Sequence, residues 1–204
     1  FSVTNISAHD QVLDSPTNFW CTLNPLSSRG TQSEGNLKNV TEGSGYGSAV
    51  GSMSHTSGKW YWEVNVNTSS TGDCIGVVDE TFDSLNSGSA VGFLLGNGGV
   101  DSICYYTNGS RYLNSVNATY GASYTTGDII GVALNLDDNE LTFYKNGVSQ
   151  GAISHTFSGN YILPAVSDAT NSSSAQATFI FNFGQDSSFA GTKTAQGNTD
   201  DNSV

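Results

Sequence analysis

Large apolar side chains recur at every second position of SGKWYWEVNV, residues 57–66: Trp60, Trp62, Val64 and Val66 share one phase, and Tyr61, Glu63 and Asn65 share the other. A period of two marks a strand with one buried face, because successive side chains leave a pleated backbone on opposite sides. The four apolar residues are therefore expected to form a core row. The alternation returns in DIIGVALNLDDNELTFYKNG, 128–147, where Val132, Leu134 and Leu136 lie in phase, an acidic turn falls at 137–139 and a second strand follows. That strand ends at Asn146-Gly147, a pair that tolerates the positive φ needed at both central positions of a type I′ turn, so 141–145 should fold back on 148–153. Inward Trp62, Val64, Leu134, Phe143 and Phe181 are the expected centre of the core.

Further short strands are predicted at CIGVVD (74–79), VGFLLG (91–96), SICYY (102–106), YILPAV (161–166) and ATFIFNFG (177–184), the last with Phe179, Phe181 and Phe183 facing one way. FSVTNI, 1–6, has the weak alternation of an edge strand. Pro164 inside an apolar run predicts an edge position or a bulge, because proline cannot donate to a ladder. DSPTNFWCTLNPL, 14–26, reads as an ordered loop or short irregular strands around Phe19 and Trp20, and 27–45 as a long loop or loose hairpin. No helical periodicity persists and no solenoid period repeats. Short strands with antiparallel turn chemistry predict an all-β protein, a two-sheet antiparallel β-sandwich of jelly-roll type. One domain is expected over 1–184, followed at 185–204 by a polar C-terminal linker or surface-draped tail in which Phe189 is the single large apolar residue.

Composition narrows the functions. Ten Phe, nine Tyr and three Trp suffice for a core, while 24 Gly suit many tight turns. With 18 acidic and six basic residues, a net charge of −12 and no basic cluster, nucleic acid and anionic membrane surfaces are excluded as partners. No apolar run reaches transmembrane length, so no membrane insertion is expected. A chain starting at Phe1 reads as a processed product or a piece of a longer one, and it shows no signal peptide. Cys21, Cys74 and Cys104 are an odd set without metal spacing and read as core thiols rather than a bridge. The N-x-S/T matches at Asn5, Asn39, Asn67, Asn108, Asn117 and Asn171 are what a chain rich in Asn, Ser and Thr produces by chance.

Candidate chemistry points away from catalysis. Glu63 lies on the face opposite Trp60 and Trp62, but Asn65 and Asn67 stand where a second carboxylate would have to be for glycoside hydrolysis. His9, His55 and His155 have no ligand neighbours at zinc spacing. NLDDNE, 135–140, offers Asp137, Asp138 and Asn139 but lacks the alternation and central glycine of a calcium loop, and a hairpin turn explains it. GNGG, 96–99, has no Lys or helix after it, and no G-x-S-x-G elbow exists. The expectation is a non-enzymatic protein with no cofactor and no metal. Binding has better material in YYTNGSRYLNSVNATYGASY, 105–124, read as an exposed loop, together with Phe82. Phe82, Tyr106, Arg111, Tyr112, Tyr120 and Tyr124 are the candidate ligand-binding residues, since Tyr brings rigid contact area and Asn and Ser bring adaptable hydrogen bonds. The alternative is that Tyr105 and Tyr112 pack beneath the loop.

Taken in order, SGKWYWEVNV, IGVV, YTTGDIIGVALNLDDNELTFYKNGVSQG, YILPAV and FIFNFG resemble the successive signatures of SPRY (B30.2-like) domains, over about 45–184. The resemblance implies a bent sandwich related to concanavalin A-like jelly rolls, used as a non-enzymatic recognition module whose contacts come from loops at one end. DSPTNFWCTLNPL and FNFGQDSSFAGTKTAQGN further resemble a subset carried by phage and other viral structural or tail-associated proteins. That second likeness implies a virion-surface module in a tail or capsid, binding a host cell-surface glycan or protein. Its alternative is a structural module for capsid decoration or fibre assembly, contacting neighbouring virion subunits and compatible with a homo-oligomer.

Overall fold

In a computed structural model, residues 20–42, 47–70, 72–82, 101–159, 161–168 and 176–194 are described. They hold two seven-stranded sheets, antiparallel throughout. In spatial order the first contains β1 (Leu23–Ser28), β4 (Gly47–Gly51), β13 (Ile162–Asp168), β6 (Asp73–Asp79), β7 (Ser102–Tyr106), β8 (Ser110–Leu113) and β9 (Val116–Thr119). The second contains β12 (Val148–Ser154), β11 (Glu140–Lys145), β10 (Ile129–Asn135), β5 (Lys59–Thr68), β14 (Thr178–Asn182), β3 (Lys38–Val40) and β2 (Thr31–Ser33). The predicted strands at 1–6 and 91–96, and Phe19 and His9, lie outside the described residues.

Side-chain phase sets the register of the second sheet. Val132 stands between Trp62 and Phe143, and Leu134 between Trp60 and Leu141. A slip of one residue would turn all of these to solvent. Asn146 and Gly147 take φ of 48° and 80°, as their hairpin requires. Trp62, Val64, Leu134, Phe143 and Phe181 are all buried between the sheets, among a cluster that also holds Val66, Ile75, Val77, Tyr105, Val166 and Phe179.

Three expectations are corrected. Trp60 shares the inward phase but is 43% exposed, because it stands at the end of the sandwich, where its ring stacks on His55 at 3.7 Å and its indole N–H donates to the Ser57 carbonyl at 2.7 Å. Pro164 lies in central β13, not at an edge. Its nitrogen faces the gap between the β4 ladder, which stops at Ala165, and the lone bridge from Ile162 to His55, so no ladder bond is lost there. The segment 105–124 is not a free loop: β8 and β9 extend the first sheet through a tight turn at Asn114-Ser115, with φ of 47° and 74°.

The described part of the C-terminal stretch, 185–194, is fastened to the domain. Gln185 donates to the Cys21 carbonyl at 2.8 Å, Asn65 to Thr192 Oγ1 at 2.8 Å and Lys193 to the Gly127 carbonyl at 2.5 Å, while Phe189 and Ile180 are both buried.

Candidate interaction surface

The outer face of the first sheet is apolar, unlike that of an ordinary one-sided sheet. One cross-strand row runs Val50, Ala165, Gly76, Cys104, Tyr112, Asn117, flanked by Leu163–Val78–Ser102 on one side and Ser48–Ser167–Cys74–Tyr106 on the other. Val50, Cys74, Val78, Cys104 and Ala165 form a second buried cluster, with Phe82, Tyr106, Tyr112 and Leu163 packed on it. The three cysteines are buried thiols with no disulfide among them, and burial raises the Cys74 thiol well above its ordinary value. Small residues let the strands carry this second layer: a Cβ on Gly76 would lie 1.9 Å from the Ile103 carbonyl oxygen.

A cleft of about 410 Å³ opens at the β1–β4–β13–β6 side of this face. Val50, Val78, Leu163 and Phe82 supply its apolar walls, buried Asp79 a polar wall, and Glu80 and Tyr161 its exposed rim. Both carboxylates are held by short bonds. Asp79 accepts from the Thr81 N–H at 3.0 Å and hydroxyl at 2.6 Å, and Glu80 accepts from the Tyr161 N–H at 2.9 Å. Tyr161 is 50% exposed, and Leu26, between the cleft-lining Asn24 and Ser27, is 81% exposed. Exposed aromatic and aliphatic side chains beside an apolar cleft are what a partner can bury.

The expected ligand residues divide. Phe82 lines the cleft, and Tyr106 and Tyr112 pack at a tilt, ring centroids 5.4 Å apart, farther along the same face. Tyr124 is corrected to a core residue: it is buried, and its hydroxyl donates to the carbonyls of Asp73 at 2.9 Å and Tyr105 at 3.0 Å. Tyr120 packs edge-on against Tyr105 and Phe143, accepts from the Phe143 N–H at 3.1 Å and donates to the Gly151 carbonyl, which ties the two sheets together. Arg111 is half-buried on the phase of β8 opposite Tyr112 and faces Tyr120 electrostatically. Sequence reasoning missed Val50, Val78, Asp79, Glu80, Tyr161 and Leu163. For Val78 and Leu163 the signal was present in CIGVVD and YILPAV, continuous apolar runs rather than alternating ones, as strands buried on both faces show.

No catalytic constellation is assembled from these groups. Among the described residues no three His, Cys, Asp or Glu side chains gather as metal ligands. Glu63 accepts from the Tyr61 hydroxyl at 3.0 Å and Asn182 at 3.3 Å, while Asp137 and Asp138 accept from the Gly58 N–H at 2.7 Å and the Lys59 ammonium at 3.0 Å.

The two antiparallel sheets define a β-sandwich of jelly-roll type. The SPRY domain model matches residues 59–186, and the chain belongs to that family. Solved structures agree on the fold. The SPRY domain of human HERC1 superimposes with a TM-score of 0.65 at 20% identity, covering 80% of this chain and 99% of that one. A human SPRY domain gives 0.59 at 22%, covering 74% and 93%. The fish toxin stonustoxin gives 0.62 at 20%, covering 80% of this chain but 27% of its own. These similarities correct the viral reading. The matching structures are human and fish proteins rather than virion components, so the tail or capsid location, the host-glycan ligand and the neighbouring virion subunits are withdrawn.

Proposed function

We propose that this SPRY domain docks a partner protein in the cleft on the outer face of its first sheet, taking up an apolar side chain flanked by basic residues. The observation that carries this is the cleft itself: apolar walls from Val50, Val78, Leu163 and Phe82 beside two carboxylates, buried Asp79 and exposed Glu80. An apolar anchor supplies the affinity, because seating it against Val50, Val78, Leu163 and Phe82 removes apolar area from water. The carboxylates supply orientation and speed. A chain of net charge −12 repels acidic proteins and steers basic ones, and that steering weakens as salt screens it.

Selection of a random peptide library against the domain tests the reading. Enriched peptides should carry Leu, Met or an aromatic residue beside Lys or Arg, and should bind more weakly as salt rises. Tyr161→Ala should weaken them about tenfold or more with little change in melting temperature, since an exposed rim residue contributes to contacts and little to the core. Glu80→Lys should shift the enriched set toward acidic flanks. Peptides that bind both variants as they bind the parent would remove the cleft from the function.

A further inference from the structure

Two fully buried carboxylates, Asp73 opening β6 and Asp168 closing β13, stand directly opposite each other in the cross-strand register. Like charges in that position repel, and burial strengthens the repulsion. Ser70, in the loop between β5 and β6, bridges them: its hydroxyl oxygen contacts Asp73 Oδ1 and lies 2.7 Å from Asp168 Oδ1. The other carboxylate oxygens are also engaged. Asp73 Oδ2 accepts from the Ser69 hydroxyl at 2.8 Å and the Ser70 N–H at 3.0 Å, and Asp168 Oδ2 accepts from the Thr41 hydroxyl at 2.8 Å and the Ala177 N–H at 3.3 Å.

Ser70 Oγ thus stands between one oxygen of each carboxyl group, and a neutral hydroxyl cannot offset two like charges held together out of water. A proton on one carboxyl group removes that repulsion and supplies a second donor to the cluster. We propose that Asp73 and Asp168 hold one proton between them through Ser70. That proton acts as a pH-sensitive latch, closing the β5–β6 loop, the chain after β3 and the approach to β14 onto one end of the first sheet.

The surroundings favour Asp73 as the carrier. Burial is the main cause that pushes its carboxyl up to about 6, with the Asp168 charge adding to it and the Ser70 and Ser69 bonds opposing it. The other titratable groups facing the pair are the thiols of Cys74 and Cys104, from β6 and β7, and the phenols of Tyr106 and Tyr124. Burial raises Cys74, Tyr106 and Tyr124, so these three stay neutral while the latch titrates. Because the folded value lies above the ordinary carboxylate range, the stabilisation is complete below that range and is lost as pH rises through about 6.

The test is a carbon-13 NMR titration of the two carboxyl groups in the full chain, paired with melting curves of Asp73→Asn, which carries hydrogen-bond donors in place of the proton. The Asp73 carboxyl should titrate near 6. The variant should melt several degrees above the parent at about pH 8, and the difference should shrink toward pH 5. Two ordinary carboxylate titrations would overturn the latch, as would an Asp73→Asn variant that melts lower than the parent by the same margin at both pH values. If that variant does not fold, the titration of the parent decides alone.

Discussion

The two sheets share one interior but differ on their outer faces. Across the second sheet the outward row Tyr61, Ala133, Thr142, Ala152 and its neighbour Asn182, Glu63, Gly131, Tyr144, Ser149 mix polar, aromatic and small residues, all at least partly exposed except Gly131, which lies beneath the Tyr61 ring. Across the first, the corresponding positions of β6 and β13 are buried, and every residue from Asp73 to Asp79 is out of solvent. A sheet with a wet outer face needs only alternation. One with a second apolar layer needs small residues to let its strands close up, and it is at the border of that layer that the cleft opens. The interaction surface thus belongs to the sheet whose strands break the simple pattern.

The largest effect should come from the interior common to both sheets. Trp62→Ala removes a buried ring and should cost about 3–5 kcal/mol by urea denaturation. Trp62→Phe should cost much less, because the indole nitrogen is buried without a hydrogen-bond partner among the described residues. Similar losses from both changes would mean the ring is not packed where the fold places it.

Next come paired glycines that test the two outer faces against each other. A Cβ on Gly76 meets backbone of β7, 1.9 Å from the Ile103 oxygen and 2.7 Å from the Cys104 Cα, so Gly76→Ala should cost at least about 3 kcal/mol. At Gly131 the same Cβ meets the Tyr61 side chain, 2.5 Å from its hydroxyl, and that ring is 55% exposed and free to swing away. Gly131→Ala should cost under about 1 kcal/mol. Equal costs would erase the distinction between the faces.

A smaller effect separates two buried acids of the first sheet. Asp101 is raised by burial, but bonds from the Ser158 N–H and hydroxyl, Asn114 and His155 together bring it below its ordinary value. Its stabilisation is present above the ordinary carboxylate range and lost as pH falls, the opposite sign to Asp73. Asp101→Asn should therefore cost about 2 kcal/mol at neutral pH and progressively less in acid, followed by thermal melts. Trp60→Ala should likewise cost only about 1 kcal/mol, since that ring is partly exposed and only its stack on His55 and its bond to the Ser57 carbonyl are at stake.

By itself the sequence determined the strands with one wet face. The alternation of 57–66 and 128–145, the Asn146-Gly147 turn and the Phe179–Phe181 phase marked the strands β5, β10, β11, β12 and β14 of the second sheet and most of their inward residues, because period and turn chemistry are local properties of the chain, whereas β2 and β3 fall in the stretch 27–45 read as a long loop or loose hairpin. Ordered motifs from SGKWYWEVNV to FIFNFG also pointed to the SPRY family. What lies above and beside a strand is not local, and only the tertiary structure decided it. Trp60 carries the same phase as Trp62 yet is exposed, because the sandwich ends there. Tyr120 and Tyr124 read as loop tyrosines but close the side of the sandwich, since β8 and β9 turn their segment back under the sheet. Val50, Val78 and Leu163 come from strands far apart in sequence and meet as cleft walls only once β4, β13 and β6 pair. Cross-strand pairing, which joins residues a hundred positions apart, placed the candidate surface where no single stretch of sequence could.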